Sequence, residues 1–148
     1  MSHYARIKID LKDRQALVEA LLKFGYTRDQ IEVHDQAQPL YDYNGAQQSQ
    51  CAHVIVRKRH VGDLCNDMGW VVDPTGKHSA WHVCDYARNK PGKLFNPKIK
   101  ALGGHNDKFA SQLDREYKVA VATRKAKADG KKVTRVDSDD GKILLYAY

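Results

Sequence analysis

The stretch YARIKIDLKDRQALVEALLKFG, Tyr4 to Gly25, decides how the rest of this 148-residue chain is read. Ala5, Ile7 and Ile9 alternate with Tyr4, Arg6 and Lys8, the period of two of a strand with one buried face. The period then changes. Leu17, Ala20, Leu21 and Phe24 recur at steps of three and four, forming a stripe on a helix that packs on a sheet. Asp10 or Asp13 can cap that helix through a side-chain oxygen. Gly25 is placed to take the left-handed conformation that ends it, with Tyr26 folding back.

Working outward, more strands follow. Ile31 and Val33 alternate with Glu32 and His34. The segment YDYNG sets Tyr41 and Tyr43 on one side of an extended chain before an Asn44-Gly45 turn. The polar run at residues 46–50 reads as loop. Cys51 to Arg59 is rich in β-branched residues and reads as a strand. Met68 to Val72 and His78 to Cys84 bracket Asp73-Pro74-Thr75-Gly76, which suits a type I turn, so the pair forms a hairpin carrying Trp70 and Trp81. From Ala87 to His105 there are two prolines, three glycines and five lysines or arginines, the mark of a basic loop or insertion at about 88–105.

A second helix starts near Asn106 or Asp107 and runs to about Asp129. Phe109, Leu113, Tyr117 and Val121 fall four apart, Ala110 and Ala120 widen the face, and Lys108, Arg115, Lys118, Arg124, Lys125 and Lys127 make a basic outer surface. Gly130 ends it. Val133 and Val136 lead through Asp137 to Gly141, a turn, into a last strand from Ile143 to Tyr148. Grouped strands with two helices predict an α+β fold. The expected architecture is a mostly antiparallel sheet of about five to seven strands with two main helices packed on one face, in a single domain spanning 1–148.

These pieces carry a resemblance. MSHYARIK, the Gly25-Tyr26 pair and YNGAQQSQCAHVIVR are similar to the uncharacterised family known as hypothetical chloroplast reading frame thirty-five, of cyanobacteria, plastids and bacteriophages. Met68-Gly69-Trp70 matches an Ile-Gly-Phe of that family, FASQLDREYKVAVA (Phe109 to Ala122) its late helix, and DGKILLYAY its terminal strand. The basic loop from Asn89 to Gly104 is longer than the family pattern. The resemblance implies an α+β fold and a stand-alone, intracellular protein, supplies no activity for particular residues, and makes a phage origin plausible.

Charge narrows the partners. Lys and Arg number 25 against 18 Asp and Glu, a formal net charge of +7, which concentrates anions near the surface. Nucleic acid, nucleotides, anionic headgroups or an acidic protein fit. The N-terminus lacks the apolar core of a secretory leader and no apolar run approaches a membrane span. Three cysteines, Cys51, Cys65 and Cys84, are an odd number. A cytoplasmic protein with reduced thiols is expected, in the host cytoplasm if phage-encoded.

Catalytic and metal chemistry find little purchase. His78, His82 and Cys84 share one side of a strand, and Cys51 and His53 lie two apart, yet no CxxC or helical HxxxH pair anchors zinc. No nucleophile elbow, phosphate loop or paired-carboxylate motif is present, so no catalytic residue, metal or cofactor is assigned. Gly103-Gly104-His105 suggests a small anion nest before the second helix, with Asp107 competing. The stronger signal is basic residues interleaved with aromatics. Arg57, Arg59, Lys90 and Lys93 are expected to neutralise phosphate while Tyr41, Tyr43 or Trp81 stacks on a base. The expected function is non-catalytic binding of a small anionic ligand, most plausibly a nucleotide or cyclic nucleotide signal, in a pocket of one or two subunits of a homo-oligomer. In a phage this is sequestration of a host immune signal. DNA or RNA binding through the basic helix face and lysine loop is the alternative. Docking on an acidic host protein is a second.

Overall fold

The computed structural model describes residues 3–89 and 93–148. Strand β1 (Tyr4–Lys8) leads into α1 (Arg14–Leu22). Asp13 is the cap: its carboxylate accepts the amides of Gln15 and Ala16 at 3.0 and 3.2 Å. Ala16, Leu17, Val18, Ala20 and Leu21 are buried. Gly25, at φ +89°, donates its amide to Leu22 and turns the chain out of the helix, a conformation that side chains resist.

Next come β2 (Glu32–Tyr41), β3 (Gln47–Val56), a single turn α2 (Lys58–Val61), β4 (Met68–Val71) and β5 (Ala80–Cys84). These strands pair antiparallel in the order β1-β5-β4-β3-β2. Short helices α3 (Asp85–Asn89) and α4 (Pro97–Leu102) precede the long α5 (Asp107–Ala128). Strands β6 (Val133–Asp137) and β7 (Ile143–Ala147) then form a separate two-stranded sheet. The class is α+β, and among the described residues the strands split five and two. The last hairpin rides on α5 and does not extend the main sheet.

Register lines Ile7, Trp81, Trp70 and Val54 across four strands of one face. Trp70 and Trp81 stack with centroids 6.0 Å apart and planes within 5°. Phe109 of α5 sits 5.6 Å from Trp81 and 5.0 Å from Phe24, so one aromatic group joins sheet, α1 and α5. The Tyr117 hydroxyl accepts the amides of Lys12 and Asp13 at 2.8 and 3.0 Å, pinning α5 to the start of α1. The other face holds a smaller cluster of Leu40, Ala52 and Ile55, with Tyr4 packed against it. It closes over Gly69, where a Cβ would lie 2.5 Å from that of Ala52.

Three sequence expectations change. Residues 47–50 belong to β3, because Tyr41 pairs with Gln47 and the hairpin zips from its Asn44-Gly45 turn. Residues 58–61 form the helical turn α2, so the strand ends at Val56. The stretch expected as a basic loop at 88–105 contains α4, which Pro97 opens and Gly103 closes at φ +89°. Asn96 caps α4 by accepting the amides of Lys98 and Ile99, and donates to the Phe24 carbonyl at 2.9 Å. That bond clamps α4 against the end of α1.

Candidate functional site

The structure brings together part of the expected constellation. Tyr41, Arg57 and Arg59, with Lys58 and Asp67, line a shallow recess of about 350 Å³. Arg57, however, is fully engaged. Its Nε and Nη2 grip Glu32 at 2.8 and 2.9 Å, and its Nη1 reaches Asp67 at 2.9 Å. Asp67 also accepts the amides of Tyr41 and Lys58. The Arg57 hydrogen bonds hold the Glu32 carboxyl down at about 2. Arg57 thus works as a clip joining β2, the end of β3 and the turn before β4, its charge matched by two carboxylates.

The remaining expected residues part company. Trp81 is 1% exposed, inside the core between Trp70 and Phe109, and no base can reach its face. Its expected stacking role is withdrawn. The cause is plain: the alternation that put Trp81 on a strand gave it the helix-covered face. Tyr43 is half-buried and donates its amide to Asn66. Lys93 is exposed, and its carbonyl accepts the amide of Asp63. Lys90 lies outside the described residues.

A larger cleft of about 450 Å³ opens between the end of α1, α4, α5 and the β6–β7 turn. Lys23, Lys98, Arg115, Arg135 and Lys142 line it, with Glu116 and Asp137, so five cations against two carboxylates leave +3. Phe24, Ala101, Leu102 and Ile143 supply an apolar wall. Each cation has a structural reason for its place. Lys23 is the C-cap of α1, and Lys98 reaches its carbonyl at 3.4 Å from the clamped α4. Arg115 donates to the Gly141 carbonyl at 3.0 Å. Arg135 takes both carboxylates, Glu116 through two bonds of 2.7 Å and Asp137 at 2.7 Å. Both carboxylates of the cleft are therefore held by Arg135, Lys142 lies 3.8 Å from Asp140, and Lys23, Lys98 and Arg115 complete the rim of the hollow. A smaller groove of about 250 Å³ shares Lys23, Glu116 and Arg135 and adds Lys127.

These cations come from five elements between residues 23 and 142. Only Arg115 and Lys98 stood out in the sequence, one in a basic helix and one in a basic loop; nothing linear joined them. The basic outer face of α5 is itself interrupted: Lys118 pairs with Asp114 at 2.9 Å, and Arg124 with Asp13 at 3.3 Å.

The expected nest at Gly103-Gly104-His105 is closed. Its three amides go to the carbonyls of Lys100, Ile99 and Ala87. His105 is fully buried, with Nδ1 3.1 Å from the Ala87 carbonyl and Nε2 2.6 Å from the Tyr26 hydroxyl. A carbonyl only accepts, so Nδ1 carries the proton and Nε2 accepts from Tyr26. Burial pulls the His105 pKa down to about 4 and pushes that of Tyr26 up. The thiols of Cys65 and Cys84 are buried too; the Cys65 thiol and the Asn66 amide, 3.4 Å away, donate toward Cys84 and lower its pKa. Among the described residues no three His, Cys, Asp or Glu side chains gather closely enough to hold a metal ion. Nor, among the described residues, is any helix long and apolar enough to cross a membrane.

No family model, curated protein or solved structure matches the chain.

Proposed function

We propose that this protein binds a small anionic ligand, without transforming it, in the cleft between α1, α4, α5 and the last hairpin. The observation that carries this is the surplus of lysine and arginine around a hollow whose two carboxylates are already held by Arg135. A volume of about 450 Å³ suits a molecule of nucleotide size. The apolar wall fits a planar base, and the cations fit its phosphates. A nucleotide or cyclic nucleotide is the ligand class favoured. Membership of the reading-frame family, a phage origin, self-association and sequestration of an immune signal belong to the same proposal.

The test has two arms. Protein purified from cells is denatured and the supernatant searched by mass spectrometry for a released nucleotide. Purified protein is then heated with pyrophosphate, ATP or a cyclic dinucleotide, because a ligand of the folded state alone raises the midpoint. A shift with at least one, abolished in the Lys23→Glu/Arg115→Glu double variant, is the expected result. No released nucleotide and no shift overturns the proposal.

A further inference from the structure

The β6–β7 hairpin turns one face to α5 and leaves the other bare. Val133, Arg135, Ile143 and Leu145 are half-buried, while Thr134, Val136, Leu144 and Tyr146 are exposed. The register pairs Val136 with Leu144 and Thr134 with Tyr146, and Lys132 exchanges two backbone hydrogen bonds with Tyr148 at 2.7 and 3.0 Å. The outer face is thus three cross-strand rows, ending in Lys132 beside Tyr148. Tyr146 is 55% and Tyr148 69% exposed. Single exposed apolar side chains are ordinary, but a continuous group of Val136, Leu144, Tyr146 and Tyr148 marks a contact surface.

Charge selects the occupant. The tyrosine end of the hairpin follows Lys125, Lys127, Lys131 and Lys132, four cations against Asp129 alone, a local +3. The opposite end carries Asp137, Asp139 and Asp140. Aromatic rings beside lysines, on an open sheet face, suit bases that stack and phosphates that pair. We propose that this face binds single-stranded nucleic acid, with successive bases on Tyr146 and Tyr148 and phosphates held by Lys131 and Lys132. Spacing favours a single strand over a duplex. Residues two apart on a strand are about 6.6 Å apart, roughly twice the 3.4 Å between stacked bases of a duplex strand. Neighbouring bases reach both rings only when unstacked from each other. The Tyr148 hydroxyl lies 3.2 Å from that of Thr134, which steadies its ring across the sheet. Nothing in this surface reads base edges, so binding tolerates sequence.

This inference is independent of the cleft proposal. Fluorescence anisotropy with labelled dT and U 12-mers and a 12-base-pair duplex tests it, on variants whose folding is checked by circular dichroism. Both single strands bind more tightly than the duplex. Tyr146→Ala and Tyr148→Ala each weaken single-strand binding about 5- to 100-fold, and Tyr148→Phe retains it. Lys131→Glu/Lys132→Glu weakens binding and flattens its salt dependence, which for two phosphate contacts has a log–log slope of about −1.4. The proposal falls if the wild type binds no single strand at low salt, or if the alanine variants bind unchanged. It also falls if light scattering shows a dimer that Tyr146→Ala splits while no oligonucleotide binds, for the face then belongs to a second copy.

Discussion

The guanidinium of Arg135 and the carboxylate of Glu116 meet through two parallel bonds of 2.7 Å, joining β6 to the middle of α5. The same guanidinium holds Asp137. One side chain therefore anchors a hairpin that the main sheet does not support and engages both carboxylates of the cleft. A two-stranded sheet alone is marginal in water. Here the helix beneath it and this fork make up the difference.

Arg135→Ala should act on both counts. It frees Glu116 and Asp137 and takes the lining from +3 to +2, so affinity for pyrophosphate falls about tenfold, roughly 1.4 kcal/mol. Glu116 also loses a partner in a half-buried position, at about 1–3 kcal/mol of stability. Glu116→Gln keeps one hydrogen bond, removes a negative charge and raises anion affinity at a smaller stability loss. Calorimetric titration and urea unfolding read the two effects separately. Equal affinity in all three proteins would show that the cleft charge is irrelevant to binding.

Arg57→Ala separates scaffold from site. It strips Asp67, whose side chain is 2% exposed, of its ionic partner. Removing one member of such a pair costs about 3–5 kcal/mol when both are buried. Arg57 keeps some solvent, so a loss of about 2–3 kcal/mol is expected. Anion affinity at the cleft should not change. A weaker ligand response with unaltered urea midpoint would return Arg57 to the binding role expected from the sequence.

Gly69→Ala tests the small core on the second sheet face. The added methyl meets the Cβ of Ala52 at 2.5 Å and Leu40 at 3.2 Å. Overpacking of this kind costs about 1–3 kcal/mol. Since Ala52 supplies the closest atom, Gly69→Ala/Ala52→Gly should recover part of the loss in urea unfolding. Additive destabilisation in the double variant would place the strain elsewhere.

Both long helices were legible because the apolar stripes from Leu17 to Phe24 and from Phe109 to Tyr117 are continuous in the sequence and are the residues that meet in the core. Caps at Asp13 and Asn106 and the turn at Gly25 were local signals too. Register was less accessible. Whether Trp81 faced helix or solvent depended on pairing with Ile7 and Trp70, partners 74 and 11 residues away. The cleft was invisible for the same reason. Lys23 and Lys98 meet only because Asn96 bonds to Phe24, and Arg115 and Lys142 only because the hairpin folds back on α5. Residues 88–105 misled through composition, since proline and glycine there delimit a helix that a polar cap starts.

The buried His105–Tyr26 pair sets a pH dependence that can be assigned to one residue. Burial lowers the folded pKa of His105 from 6.5 to about 4, so the unfolded chain takes up a proton there more readily than the folded protein. The stabilisation is present in full above pH 6.5, and it is lost as pH falls from 6.5 through 4. The difference of about 2.5 units amounts to about 3 kcal/mol by pH 4. Glu32, held at about 2, loses its contribution in the same direction but lower, between its ordinary value near 4.5 and pH 2. Three other histidines, His53, His60 and His82, have lowered pKa values and steepen the same limb. The comparison is therefore made against His105→Gln, which keeps polar atoms beside Tyr26 and the Ala87 carbonyl without a titrating ring. Urea unfolding at pH 7 and pH 5 should show the wild type losing about 1–2 kcal/mol more than the variant over that interval. Parallel losses in the two proteins would mean that His105 is protonated in the folded state, contrary to the hydrogen bond it accepts from Tyr26.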